Sequence, residues 1–188
     1  MANGICVYAE SYNGELETVA AELVSAAKGL AETTKEKVQA IVLSDHAEEL
    51  VKELDKLGVD EIYAVKADHD ITLQDDAVSA AIAEMLKKIE PSAVPATPQG
   101  RSIFSRVAMC LGCGMTADCT EVLAAQREDG SFYIKQNKPS YGENVFVTIL
   151  TKEGIYPQMM TVRPGVYAAC EAKESGNANV TFFDDIKI

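Results

Sequence analysis

Two adjacent residues, Gly100 and Arg101, form the best candidate in the sequence for an anion-binding site. They open the stretch QGRSIFSRVAMCLGCGMTAD, in which apolar residues recur at helical spacing over residues 102–111. A glycine lets the backbone approach a ligand closely, and the first turn of a helix offers free N–H groups to an anion. An apolar segment precedes the pair, and open α/β sheets usually bind ligands at such junctions. The alternative is that Arg101 and Arg106 pair with carboxylates of the same domain.

A third arginine of interest, Arg163, lies in the rigid turn Arg163-Pro164-Gly165. It either fixes the following segment internally or contacts a partner. All four arginines lie after residue 100, and residues 1–90 carry 19 acidic against 8 basic side chains. This asymmetry predicts a solvated acidic helical face in the first half, or an arginine-bearing half that faces a partner or an anion. The net charge of −12 argues against nucleic acid or an anionic membrane as the main partner.

Other catalytic or metal-binding chemistry finds little support. The pair Cys110-x-x-Cys113, with Cys119 nearby, lacks the second pair of ligands that a zinc site needs. The pair also follows a helix, whereas a redox-active Cys-x-x-Cys pair begins one. We therefore favour packing of these small side chains in the core. His46 and His69 are expected at the surface, and no phosphate-binding loop, dinucleotide fingerprint or nucleophile elbow is present. Asp118 is expected to fix a turn by accepting from backbone N–H groups. We therefore predict neither catalytic residues nor a metal.

Strands and helices alternate through the first 111 residues, which predicts a parallel sheet covered by helices. Asp45 and Glu48 form a capping-box pattern, and Asp75 or Asp76 is expected to cap the next helix. Short segments rich in β-branched and aromatic residues follow, and they are expected to form partly antiparallel strands. The strands are expected at residues 5–8, 38–43, 61–65, 92–97, 116–123, 132–135, 144–150 and 158–162, and the helices at about 17–31, 45–57, 75–89 and 102–111.

The end of the sequence is polar and linker-like over residues 171–179, and residues 180–183 are a candidate for one more strand. No transmembrane run, signal peptide or transit peptide is visible, and the five cysteines are odd in number without a disulfide pattern. We therefore expect a cytoplasmic protein that does not insert into a membrane.

Several motifs in order resemble the alpha subunit of electron transfer flavoprotein. They are GR-x4-RVA-x3-LG-x-G-x-TADCT at residues 100–120, KPSYGEN at 138–144 and PQM-x-TVRPGVY at 157–167, preceded by VYAE at 7–10. Two positions depart from the family pattern. The fourth strand reads SAVPATP where the family has an apolar, glycine-ended strand, which makes a nucleotide at the following loop less expected. Glu143 replaces a family glycine.

The resemblance implies a three-layer α/β fold, similar to adenine-nucleotide-binding domains, with additional partly antiparallel strands in the last third. It implies pairing with a beta subunit and FAD-mediated electron transfer from acyl-CoA or other flavin dehydrogenases. In this family FAD sits mainly on a following C-terminal domain, so residues 1–170 are expected to form the N-terminal domain and residues 171–188 a linker or terminal strand towards the FAD-binding domain. FAD is then not bound by this chain alone.

On this interpretation the chain is a non-catalytic scaffold, and Gly100, Arg101 and Arg163 are remnants of a nucleotide site or interface contacts. One alternative is a free-standing adenine-nucleotide-binding domain of the stress-protein type. The other is an enzyme that uses the cysteine cluster.

Overall fold

The computed structural model describes residues 2–97, 100–140 and 145–188. The first half alternates strands with helices: β1 (Ile5–Tyr8), β2 (Ser11–Tyr12), β3 (Glu15–Leu16), α1 (Thr18–Thr34), β4 (Val38–Ser44), α2 (Ala47–Lys56), β5 (Glu61–Lys66), α3 (Asp75–Ile89), β6 (Ala93–Ala96) and α4 (Arg101–Leu111). Strands alone follow: β7 (Met115–Cys119), β8 (Glu121–Gln126), β9 (Phe132–Pro139), β10 (Phe146–Ile149), β11 (Gln158–Val162) and β12 (Asn179–Phe182).

Seven strands form one parallel sheet in the order β12-β5-β4-β1-β6-β11-β7. Strand β4 is buried along its whole length, with Ala40 and Val42 on one face and Ile41 and Leu43 on the other. Helices α1 and α2 cover the first face, and α3 and α4 cover the second. The apolar runs are continuous because both faces of the sheet are covered, which confirms the predicted three-layer α/β fold.

The segment predicted as one strand at residues 116–123 is divided at Thr120. Strand β7 pairs with β11 in the parallel sheet, whereas β8 joins the antiparallel sheet β10-β9-β8. The backbone changes direction at Asp118, whose φ is +65°, and the register of β11 shifts beside it. The sequence pattern does not reveal this division, because each of the two strands buries one face and the alternation of side chains continues from one to the other. The start of the strand predicted at residue 144 lies outside the described residues.

The predicted helix caps are wrong. Helix α2 begins after His46, whose backbone N–H donates to the hydroxyl of Ser44 at 3.0 Å, and no side chain caps it. Strand β4 continues to Ser44, so the turn is too short for Asp45 to serve as the cap. Helix α3 begins after Gln74, and Asp75 lies inside its first turn, where a carboxylate interacts favourably with the helix dipole.

The polar segment at 171–179 lies against the helix layer. The Cys170 N–H donates to the carbonyl of Ala21 at 3.2 Å, and Lys173 N–H donates to the carbonyl of Lys56 at 2.8 Å. The Ala178 N–H donates to the carboxylate of Asp55 at 2.8 Å, and β12 then pairs in parallel with β5. The expected strand at 180–183 is thus present, shifted by one residue. That residue 170 bounds a domain stays a prediction.

No helix in the described ranges is both long enough and apolar enough to cross a membrane.

Candidate functional site

A cleft lies where the strands of the parallel sheet end at their carboxyl side, which is where open α/β folds usually bind ligands. Its volume is about 540 Å³. Residues that follow β1, β4 and β5 line it, and the side opposite them is formed by the start of α3 and α4. The residues that line the cleft include Tyr8, Glu10, Glu17, Asp45, His46, Asp70, Asp75 and Gly100.

The cleft is acidic. Five carboxylates line it, and His46 is the sole basic side chain among its described lining residues. A dinucleotide such as FAD, or an adenine nucleotide, would bring phosphate groups into this negative field with no lysine or arginine of the described lining to neutralise them. The residues present therefore do not fit a nucleotide cofactor at this cleft.

The start of α4 is occupied from within the chain by Glu10. The Thr97 hydroxyl and the Gly100 backbone N–H donate to its carboxylate. A Cβ atom on Gly100 would lie 2.7 Å from Oε1 of Glu10, so a side chain at position 100 would move the carboxylate from this place. Burial raises the pKa of Glu10, and the negative charge of Glu17 adds to this effect, whereas the bonds from Thr97 and Gly100 oppose it.

The predicted arginines lie apart from this cleft. Arg106 bonds to carboxylates of the α3 first turn, at 3.5 Å from Asp75 and 3.0 Å from Asp76, so the pairing alternative is confirmed for this residue. Arg101 is exposed and is not among the described residues that line the cleft. Gly100 therefore borders the cleft while its neighbour Arg101 points elsewhere. Their role as a nucleotide remnant or an interface stays a prediction.

Arg163 forms an internal ion pair with Asp118. Its Nε and Nη2 donate to the two carboxylate oxygens of Asp118 at 2.9 and 2.6 Å. This bidentate bond, with smaller effects of Lys138 and Arg101, lowers the pKa of Asp118. The expectation that the Asp118 side chain fixes a turn through backbone N–H groups is wrong, because Arg163 takes both of its oxygens. Nothing in the sequence signals this pair, since Asp118 lies in β7 and Arg163 follows the end of β11, far along the chain.

The cysteines and histidines show no metal-binding arrangement. No group of three or more His, Cys, Asp or Glu side chains suited to a metal occurs in the part of the chain that the structure describes. Cys6 and Cys119 are buried, and Sγ of Cys113 lies 3.2 Å from Sδ of Met159 in the core. Burial raises the pKa of Cys113, which makes a reactive thiolate unfavourable and fits the packing interpretation for this residue. Cys110 is exposed, so the packing interpretation is wrong for Cys110.

The three-stranded sheet presents an apolar edge that the sequence analysis missed. We call residues 145–150, VFVTIL, the β10 edge; every one of them is exposed, and 65% of Phe146 is accessible. In register, Phe146 lies opposite Pro139 and Val147 opposite Lys138, so the apolar side chains occupy both faces of β10. The signal in the sequence was an apolar run without alternation, which also fits a buried strand.

Comparison with known proteins now adds the family. A family model described as "Electron transfer flavoprotein domain" matches residues 5–187. An electron transfer flavoprotein subunit alpha from Thermoanaerobacterium thermosaccharolyticum is 32% identical over 182 residues, which are 96% of this chain and 54% of that protein. The corresponding protein of Clostridium acetobutylicum is 31% identical over 95% of this chain and 52% of that protein. The subunit LctC of a lactate dehydrogenase (NAD(+),ferredoxin) from Acetobacterium woodii is 31% identical over 96% of this chain and 43% of that protein.

The chain spans about half the length of these curated relatives. The family match nevertheless extends across all the strands of the parallel sheet, the antiparallel sheet and the segment that leads to β12. We conclude that the chain belongs to the electron transfer flavoprotein family and is similar to its alpha subunits.

Proposed function

We propose that this chain is a scaffold domain of an electron transfer flavoprotein alpha subunit. It pairs with a beta subunit, and the complex passes electrons from acyl-CoA or other flavin dehydrogenases through FAD. The relatives named as alpha subunits support the electron-transfer role. The chain supplies no catalytic residue of its own in this proposal.

The β10 edge carries the pairing proposal. An edge strand with exposed apolar side chains on both faces invites association, and natural proteins cover or charge such edges. This edge carries no charged residue over positions 145–150 and lies beside β9 at the edge of the three-stranded sheet. A subunit that adds a strand or packs on Phe146 would bury it.

FAD belongs to the intact complex in this proposal and is held outside the present chain. When bound, it supplies the reversible acceptance of electrons. The acidic cleft and the carboxylate at the start of α4 support this assignment, because they oppose a dinucleotide at this cleft. Because Arg163 is held by Asp118, Arg101 is the better interface contact of the two. A cytoplasmic location accompanies this function.

Replacement of Phe146 by lysine tests the pairing surface. The electron transfer flavoprotein beta subunit of the same organism is mixed with the full chain, and the affinity is measured by calorimetry and size-exclusion chromatography. We expect Phe146→Lys to weaken pairing roughly tenfold or more, because a central aromatic anchor of an interface is lost and a charge must be desolvated. The fold should not suffer, since 65% of this side chain is already exposed.

Leu73→Lys is the matched control. Leu73 is 95% exposed and lies in the loop before α3, away from the antiparallel sheet, so the same change in charge and size should leave pairing unaltered. Equal effects of the two variants would reject the β10 edge as the pairing surface. Failure of the unmodified chain to bind the beta subunit would reject the proposed function itself.

The alternative of a free-standing nucleotide-binding domain makes the opposite prediction about ligands. AMP or ATP should raise the melting temperature of the chain substantially if that alternative holds, because a ligand that binds only the folded state stabilises it. We expect little effect of either nucleotide, since the described lining of the cleft offers no cationic partner for phosphate other than His46. A large rise would favour the alternative.

A further inference from the structure

The disagreement between the nucleotide-binding type of fold and its acidic cleft centres on Glu10. This residue follows β1 directly, and β1 lies in the middle of the parallel sheet. Its carboxylate reaches across to Thr97 and Gly100, which lie between β6 and α4, where a fold of this type places a phosphate group. The contact therefore joins two neighbouring strand ends at the ligand-binding edge of the sheet.

The contacts of the Glu10 carboxylate resemble those of a bound anion. The Thr97 hydroxyl donates to it, and the Gly100 backbone N–H, which also donates to Thr97 Oγ1 at 3.0 Å, contributes a backbone bond. Thr97 is completely buried, so its hydroxyl has no access to solvent and needs this acceptor. A Cβ atom at position 100 would lie 2.7 Å from Oε1 of Glu10, so any other residue there would displace the carboxylate.

Electrostatics show that Glu10 is not placed there as half of an ion pair. No lysine or arginine of the described residues forms a salt bridge with it, and the groups that face it across the cleft, Glu17 and Asp75, are acidic. Asp75 is itself bonded to the hydroxyl of Ser102 at 2.6 Å and to Arg106. The carboxylate is thus held by hydroxyl and backbone donors alone, which are the donors that a phosphate uses at a helix start.

We propose that Glu10 is a built-in occupant of the anion position at the start of α4, and that it keeps phosphate-bearing ligands out of the cleft. The ligand class excluded is a phosphate monoester such as a nucleoside monophosphate. This proposal concerns the cleft and does not depend on the pairing function assigned to the β10 edge. It explains how a chain with this fold retains a cleft of nucleotide size without the electrostatics for a nucleotide.

The proposal is tested by removing the Glu10 carboxylate from the start of α4 and measuring whether an anion binds in its place. The full chain and its Glu10→Ala and Glu10→Gln variants are titrated with inorganic phosphate and with AMP by calorimetry. We expect the Ala variant to bind at least one of the two probes roughly tenfold or more tightly than the unmodified chain. The Gln variant should gain much less, because its amide removes the charge but still fills the position. Binding of phosphate without AMP supports the proposal equally, since it claims the anion position alone.

Glu17→Ala is the matched control, because Glu17 lines the same cleft and its loss changes the net charge by the same amount. If Glu17→Ala gains as much affinity for the probes as Glu10→Ala, the gain is due to the overall charge alone, and the proposal is overturned. It is also overturned if the unmodified chain binds as tightly as the Ala variant, or if the folded Ala variant binds neither probe. Should Glu10→Ala not fold, Glu10→Ser replaces it; if neither folds, Glu10 is a structural contact and the proposal is wrong.

Discussion

The partly buried carboxylate of Glu10 borders the cleft at the start of α4. Glu10 accepts from Thr97 and Gly100, and burial raises its pKa because the charged form loses water that two hydrogen bonds replace only in part. The unfolded chain leaves the same group in water. Folding therefore favours the protonated form of Glu10 and makes stability depend on pH at this residue.

The sign of this dependence can be measured. The folded state binds the Glu10 proton more tightly than the unfolded state, whose pKa is near 4.5, so this contribution to stability is present at low pH and is lost as the pH rises through the higher folded pKa. A gap of one pH unit between the two pKa values corresponds to about 1.4 kcal/mol. Chemical denaturation at a series of pH values should show this loss in the unmodified chain and a flatter curve in Glu10→Gln. Parallel curves would contradict the prediction.

The Asp118 position combines an exposed ion pair with an unfavourable backbone conformation. The pair with Arg163 leaves both side chains more than two-fifths exposed, so water screens the attraction and the pair contributes little to stability. The φ of +65° is costly for a residue with a Cβ atom and costs glycine nothing.

Two variants separate these effects. Asp118→Ala and Asp118→Gly both lose the ion pair, but only alanine keeps the unfavourable φ. We expect the glycine variant to be more stable than the alanine variant by about 1 kcal/mol in urea denaturation, after allowance for the greater freedom of glycine in the unfolded chain. Equal stabilities would show that the backbone at this position relaxes freely.

Among the elements, the segment from Arg163 to β12 differs most from its prediction. It crosses the layer of α1 and α2 through backbone bonds to Ala21, Lys56 and Asp60, and β12 then completes the edge of the sheet beside β5. The polar composition of residues 171–179 predicts a linker, whereas the backbone N–H groups of Lys173 and Ala178 bond to α2 and Ala178 packs against the core. Phe183 adds a ring stacked on Tyr63, with ring centres 5.8 Å apart.

A substitution at Gly176 tests how closely this segment is held. A Cβ atom there would overlap the backbone carbonyl oxygen of Asp55, which cannot move without disturbing the end of α2. We expect Gly176→Ala to lower the free energy of unfolding by about 1–3 kcal/mol. Gly114→Ala is the control, because a Cβ atom there meets nothing within 4 Å. Similar effects at both positions would mean that the crossing segment is loosely attached.

The sequence predicts elements better than it predicts how they meet. The helices at Thr18–Thr34 and Asp75–Ile89 and the fully buried β4 follow from periodicity, because one face or both faces must be apolar. The division at Thr120, the bond of Arg163 to Asp118 and the position of Glu10 against Gly100 depend on contacts between distant segments. No local pattern encodes such contacts, so these parts of the candidate site could not be predicted.

At the scale of the whole molecule, the distribution of charge differs between the part that contains the cleft and the part that contains the β10 edge. The excess of carboxylates in residues 1–90 includes those that line the cleft, so the ligand edge of the sheet lies in the negative half of the chain. The exposed apolar β10 edge lies in the half that is nearly balanced in charge. Pairing and ligand exclusion are therefore assigned to different ends of the sequence.

The purified 188-residue chain should carry negligible flavin. The prediction follows from the poor fit of a dinucleotide to the acidic cleft, and it is checked by the visible absorbance spectrum after purification with added FAD. A complex with the beta subunit and the complete alpha subunit serves as the positive control. A stoichiometric flavin spectrum from this chain alone would contradict the scaffold proposal.

The position of β12 has a consequence for synthesis on the ribosome. Its partner strand β5 emerges more than a hundred residues earlier, as the separation of 123 residues between Ala178 and Asp55 illustrates. During translation the edge of β5 and the Tyr63 ring therefore stay exposed to solvent until the segment that contains β12 has been synthesised. Such late closure of a sheet is slow because the contact is distant in sequence, so the nascent chain presents an unpaired strand to chaperones for much of its synthesis.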